Sequence, residues 1–110
     1  MKSISSVKLL EISYSRVMSD DRSWTFLSNH GHVLVQVSRD PDARIRDIAD
    51  AVGITERRAH MILSDLEEAG YITITKVGRR SHYRVHRNRK FRHPAESAKS
   101  INDLLTIFDR

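Results

Sequence analysis

Residues 45–59 decide the fold, and they read IRDIADAVGITERRA. Ile48 and Val52 lie four residues apart, a spacing that places both apolar side chains on one face of a helix. Gly53 can end that helix in a left-handed conformation, and Thr55 can cap the next helix through its hydroxyl group. The stretch therefore predicts two helices joined by a tight turn.

The second helix has two faces of different composition. One face is apolar and is predicted to pack in the core; it consists of Ala59, Ile62, Leu63 and Leu66. The remaining arc is mostly polar or charged and consists of Glu56, Arg57, Arg58, His60, Met61 and Ser64. Gly70 can adopt the positive φ with which chains leave helices, so the helix is expected to end just before it.

A β-hairpin is predicted after this helix. Residues 71–77 are rich in β-branched side chains, and isoleucine and threonine alternate over residues 72–75. Residues 81–86 form the returning strand, and the tip between the two strands consists of Gly78, Arg79 and Arg80.

Another helix is predicted before the turn at residues 40–42. Its helical pattern consists of His30, Val33, Leu34 and Val37. Ser28 or Asn29 can cap its first turn. Trp24 is expected to pack beneath this helix as part of the core.

Both ends of the chain are predicted to be helical. One helix lies within residues 1–20, where Met18 is an alternative candidate for the translation start, and the other lies within residues 94–110, opened by Pro94. Their apolar stripes suit either packing within the subunit or a dimer interface. These stripes are Val7, Leu10, Tyr14 and Val17 in the first helix, and Ile101, Leu104, Leu105 and Phe108 in the second.

Positive charge is concentrated in one part of the chain. The protein has 110 residues and a net charge of +5. Residues 69–95 contain no acid, and their cations are Lys76, Arg79, Arg80, Arg84, Arg87, Arg89, Lys90 and Arg92. The rest of the chain is therefore net acidic, and the basic segment is expected to face a polyanion. Residues 87–93 are expected to form a solvated basic strap.

The composition argues against several classes of protein. The absence of cysteine excludes disulfides, thiolate metal sites and redox-sensing thiols. No apolar run approaches a membrane span, and the charged residues within 1–17 argue against a secretory signal, so a cytoplasmic, nucleoid-associated protein is expected. His30 and His32 cannot share a helix face, and His82 and His86 lack further ligands, so no metal site is predicted. No motif for catalysis or a cofactor is present, so an enzyme is not expected.

The predicted order of helix, turn, helix and two-stranded ribbon is the layout of a winged helix-turn-helix. Residues 45–59, with LEEAGYI at 66–72 and the basic tip, resemble the ArsR/MarR-like winged helix-turn-helix transcription regulators of bacteria and archaea. The resemblance covers residues 24–86, the expected DNA-binding domain. It implies a mainly α fold with a small β-hairpin (α+β), carrying additional N- and C-terminal helices. The chain departs from the family pattern at two points. Arg46 stands where members of the family usually place Ser or Thr, and the cysteines of the metal-sensing members are missing.

The resemblance also implies how DNA would be contacted. The second helix would enter the major groove, where arginines reach guanine edges or phosphates, and histidine and methionine reach a base edge and a thymine methyl group. Arginines of the hairpin tip would reach the backbone or the minor groove. The predicted DNA-binding residues are Thr55, Glu56, Arg57, Arg58, His60, Met61, Ser64, Lys76, Arg79, Arg80 and Arg84.

Several alternatives remain open at the level of sequence. A winged helix can also serve as a protein-interaction module, or as a sequence-neutral architectural or RNA-binding protein. Small operator-binding domains usually act as two-fold dimers, so a homodimer is expected on double-stranded DNA. The residues do not indicate the operator, any small-molecule effector or the direction of regulation.

Overall fold

The computed structural model describes residues 24–109 of the chain. Six elements follow in the order α1 (Asn29–Arg39), α2 (Ile45–Val52), α3 (Glu56–Glu68), β1 (Ile72–Val77), β2 (Arg80–Val85) and α4 (Ile101–Phe108). The helix predicted within residues 1–20, with Val7, Leu10, Tyr14 and Val17, lies outside the described residues.

All four helices and both strands contribute to one hydrophobic core. The center of this core is α1, whose Val33 and Val37 are completely buried, and which packs against α2, α3, α4 and β2. The predicted core face of α3 is confirmed, because Ala59, Ile62, Leu63 and Leu66 are all buried. The core holds α3 in place while leaving its opposite face exposed.

The start of α1 confirms one prediction and contradicts another. Ser28 caps the helix, as its Oγ accepts a hydrogen bond from the Gly31 amide at 3.2 Å. Trp24 does not lie in the core, because its side chain is 69% exposed and contacts the 94% exposed Phe26 edge to face. Residues 24–26 are exposed, and it is Leu27 that packs against the core before α1 begins.

The turn between α2 and α3 forms as the sequence predicts. Gly53 has a φ of 85°, and its amide and that of Ile54 both donate to the carbonyl of Ala49, at 2.8 and 3.0 Å. Thr55 caps α3, since its Oγ1 accepts a hydrogen bond from the Arg58 amide at 3.0 Å. These bonds fix the direction in which α3 leaves α2.

The hairpin is antiparallel, and its register pairs Ile72 with Val85 and Val77 with Arg80. Its turn contains only Gly78 and Arg79, so Arg80 is the first residue of β2 rather than part of the tip. The hairpin is attached to the helices on both edges. The Tyr83 amide donates to the Pro41 carbonyl at 2.9 Å, and the Ile74 amide donates to Glu67 Oε2 at 3.1 Å.

Residues 87–93 are not a freely solvated strap, because two of their arginines hold the fold together. Arg89 donates to the carbonyls of Ala69 and Gly70, at 2.9 and 3.1 Å, where α3 ends. Arg87 donates to Asn102 Oδ1 at 2.6 Å and pairs with Asp109 at 3.0 Å. The sequence shows positive charge here, but cannot show that these guanidinium groups find acceptors inside the domain.

The C-terminal helix is shorter than predicted. Residues 94–100 form turns instead of a helix, and an antiparallel bridge joins Lys90 to Ser100. This bridge keeps the segment against the strap until α4 begins at Ile101. Ile101 and Leu105 are buried in the core, so the helix belongs to the same packed unit as α1.

Gly70 and Gly53 provide a matched test of the Arg89 contact. Both glycines have a left-handed φ, of 87° and 85°, but a Cβ would overlap the Arg89 guanidinium only at Gly70. We expect Gly53→Ala to lower the free energy of unfolding by about 1 kcal/mol through backbone strain. Gly70→Ala should cost roughly 1 kcal/mol more, because Arg89 loses its carbonyl acceptors.

Chemical denaturation of both variants, alone and combined with Arg89→Ala, measures this difference. In the Arg89→Ala background the two glycine substitutions should become equally costly. A persistent difference would show that the Arg89 contact is not its cause.

Candidate nucleic-acid interface

The exposed face of α3 carries the predicted readout residues. Glu56, Arg57, Arg58, His60, Met61 and Ser64 are all exposed. Met61 is 52% exposed, so its apolar side chain is accessible beside the charged residues of this face. The Glu56 carboxylate lies 3.9 Å from Arg46, so an arginine of α2 extends the charged surface at the start of α3.

The hairpin lies beside α3 and is fixed to the loop between α1 and α2. Arg80 Nη2 donates to the Asp42 carbonyl at 2.6 Å, and His82 Nδ1 lies 2.7 Å from Asp42 Oδ1. A carbonyl oxygen is a neutral acceptor, so this bond holds Arg80 in place without balancing its positive charge. The Asp42 carboxylate is engaged by His82 rather than by an arginine.

A cleft of about 400 Å³ lies where the start of α2, the face of α3 and the hairpin meet. It brings three predicted hairpin residues together with one from α3, and adds Arg44, which the sequence interpretation did not include. Its lining residues are Ala43, Arg44, Ile45, His60, Lys76, Arg79, Arg80, Ser81 and Tyr83. The lining is therefore cationic and contains no carboxylate.

Tyr83 is the buried residue of this cleft. Its side chain is 4% exposed, and burial raises the pKa of its phenol above 10.0, while a side-chain hydrogen bond with Ser81 partly opposes the shift. The phenol therefore stays protonated and neutral at physiological pH. It adds no negative charge to the cationic lining.

Arg84 does not join this cleft. Alternation along β2 places it on the face opposite Tyr83, beside Thr73 in the register, and its Nη1 lies 3.5 Å from His86 Nδ1. The sequence could not separate Arg84 from Arg80, because both belong to one basic run. Alternation places Arg80 on the same face as Arg84, but the Arg80 guanidinium reaches around to the Asp42 carbonyl at 2.6 Å and so borders the cleft.

The four residues of α4 that were predicted for a dimer interface differ in their exposure to solvent. Ile101 and Leu105 are buried within the subunit and are not available to a second copy. Leu104 is half-buried and Phe108 is 36% exposed, and Ile107, which was not predicted, is 71% exposed. Leu104, Ile107 and Phe108 are thus the accessible apolar surface of this helix, and we call them the α4 surface.

Two of the histidines bond to polar side chains of other elements. His30 lies 2.8 Å from Asp65 and links α1 to α3, while His86 lies 2.7 Å from Thr73 Oγ1. Across residues 24–109, no three His, Asp or Glu side chains are grouped closely enough to hold a metal ion. These histidines join neighboring elements of the fold.

The helices α2 and α3 meet at a tight turn, and the hairpin lies beside the exposed face of α3. This is a winged helix-turn-helix. In agreement, residues 28–73 match a family model described as winged helix-turn-helix DNA-binding. The matched region runs from the cap of α1 into β1, and it indicates a DNA-binding winged-helix domain.

The other comparisons add no relatives, since no curated protein and no solved structure matches the chain significantly. Among the described residues, none of the helices combines the length and the apolar character needed to cross a membrane.

Thr55 offers a test of how α3 is held in its position. Thr55→Ala removes the acceptor for the Arg58 amide and should lower the free energy of unfolding by about 1 kcal/mol, whereas Thr55→Ser should retain most of it. Ser64→Ala, on the exposed face of the same helix, is the control and should change stability little. Equal stability of Thr55→Ala and Thr55→Ser in urea unfolding would contradict the capping role.

Proposed function

We propose that this protein is a sequence-specific transcription regulator that binds double-stranded DNA. The exposed polar face of α3, bordered by the cationic cleft and hairpin, is the observation that supports this proposal most directly. A helix of this kind fits the major groove, and the adjacent cations fit the phosphate backbone. The finer assignment to ArsR/MarR-like regulators rests on the residues of the turn and of the helix exit.

The proposed contacts fall into two groups. Arg57, Arg58 and Met61 lie on the face of α3 that would meet base edges, together with Glu56 and Ser64. Thr55 lies at the N-terminus of α3, where amides and the helix dipole favor phosphate. Arg79 and Lys76 extend from the hairpin toward the backbone. Bases are read by the first group, and the second group positions the protein.

A homodimer is the proposed binding form. The α4 surface leaves Ile107 71% exposed, and α4 packs against α1 rather than against α2 or α3. Burial of such side chains between two copies is favorable by about 25 cal/mol per Å² of apolar area. Two copies joined there would present two α3 helices to two half-sites of an operator. Such a regulator would act at the nucleoid in the cytoplasm.

Selection of duplexes from a random pool, followed by titration at several salt concentrations, tests the DNA-binding proposal. About six phosphate contacts predict a slope near −5 in a plot of log affinity against log salt concentration. Met61→Ala should weaken binding to the selected site while leaving random DNA unaffected. Absence of binding at low salt would refute the proposal, and equal affinity for all duplexes would indicate a sequence-neutral protein.

Analytical ultracentrifugation tests the dimer. Ile107→Glu places a charge within the α4 surface and should convert the dimer to a monomer, whereas Thr106→Glu, at the exposed neighboring position, should not. The monomeric variant should also lose affinity for a two-half-site operator more than for a single half-site. If the unmodified protein sediments as a monomer on and off DNA, the dimer proposal is wrong.

A further inference from the structure

The cleft between α2, α3 and the hairpin has a composition that the readout of bases does not explain. Four of its lining side chains are cationic: Arg44, Lys76, Arg79 and Arg80. They come from two separate parts of the chain, so the fold rather than a local run of sequence brings them together. Like charges repel when gathered around one space, and an anion in that space would relieve the repulsion.

Among residues 24–109, acidic side chains do not neutralize this cluster. The carboxylate of Asp42 is engaged by His82 at 2.7 Å, and Arg80 donates to the main-chain carbonyl of Asp42 instead. The ion pairs of arginine within residues 24–109 join Arg46 to Glu56 and Arg87 to Asp109, both outside the cleft lining. The cationic charge of the cleft is therefore available to an external group.

The size and position of the cleft suit a phosphodiester of the DNA backbone. Its volume of about 400 Å³ is more than ten times the ~30 Å³ of one water molecule, so a phosphate and part of its sugar can enter. It opens beside the exposed face of α3, where a strand of DNA would pass from the major groove to the hairpin. The neutral phenol of Tyr83 at its buried side does not repel an anion.

The start of α2 supplies a further feature of the same cleft. Arg44 occupies the N-cap position, and no side chain caps this helix. The first-turn amides of α2 therefore point toward the region of Arg44 and Ile45 without a side-chain acceptor. Together with the four cations, they offer donors to a phosphate oxygen.

We propose that this cleft is a binding site for one backbone phosphate of DNA, and that Arg44 and His60 are ligands of that phosphate. The inference rests on the proposed DNA binding and deepens it. It extends the contact surface to the start of α2, where no contact was predicted. It also moves His60 from the reading of a base edge, as predicted from the sequence, to the backbone.

Three single variants of the full chain separate these roles: Arg44→Ala, His60→Ala and Met61→Ala. Arg92→Ala is the matched control for Arg44→Ala, because it removes the same charge from an exposed position in the strap. Affinity is measured by fluorescence anisotropy on a selected duplex and on a random duplex, at four salt concentrations. Thermal unfolding of each variant establishes that it is folded.

We expect Arg44→Ala to weaken binding to both duplexes about tenfold and to reduce the salt slope by about 1, as the loss of one phosphate contact requires. Arg92→Ala should leave both quantities nearly unchanged. His60→Ala should weaken binding to the two duplexes by the same factor, whereas Met61→Ala should change their ratio.

Distinct results would overturn the site and the function. If the unmodified protein binds DNA and Arg44→Ala behaves like Arg92→Ala, the phosphate site is wrong and the proposed function stands. If His60→Ala changes the ratio of the two affinities as Met61→Ala does, His60 reads a base and is not a phosphate ligand. If the unmodified protein does not bind duplex DNA at all, both proposals are refuted.

Discussion

The attachment of the hairpin to the helical core determines the geometry of the whole candidate interface. Tyr83 provides this attachment, because its ring is buried against the helices while its amide donates to the carbonyl of Pro41 at 2.9 Å. The loop before α2 is thus hydrogen-bonded to the β2 edge of the two-stranded ribbon. Together with the bond from the Ile74 amide to Glu67 of α3, this attachment fixes the cations of the hairpin relative to α3 and shapes the cleft at the start of α2.

Local physics explains what the sequence could predict. Gly53 and Thr55 determine the conformation of their own turn, and the apolar spacing of α3 selects one buried face, so both predictions are confirmed. The errors concern residues whose environment depends on distant parts of the chain. Trp24 looked like a core residue by chemistry alone, but Leu27 is the residue of this segment that packs against the core. The segment after Pro94 had a helical pattern, but the Lys90–Ser100 bridge holds its end in turns.

The basic segment at residues 69–95 shows why the sequence alone could not identify all the cations of the candidate interface. Five arginines of this single run lie in three different environments. Arg87 and Arg89 satisfy acceptors within the domain, Arg84 lies on the outer face of β2, and Arg79 and Arg80 border the cleft. Arg44 completes that cleft from outside the run. Net charge therefore predicted the class of partner, whereas the fold decides which cations can meet it.

The burial of Ile101 and Leu105 in the same core as α1 bears on how the spacing between two DNA half-sites would be recognized. Because α4 and α3 belong to one packed body, no flexible linker separates the α4 surface from the face that would read DNA. Two subunits joined at α4 would form a rigid dimer in which the distance between the two α3 helices is fixed. Inserting a base pair between the half-sites rotates one half-site around the DNA axis relative to the other. A rigid dimer would therefore tolerate a base change within one half-site more readily than such an insertion.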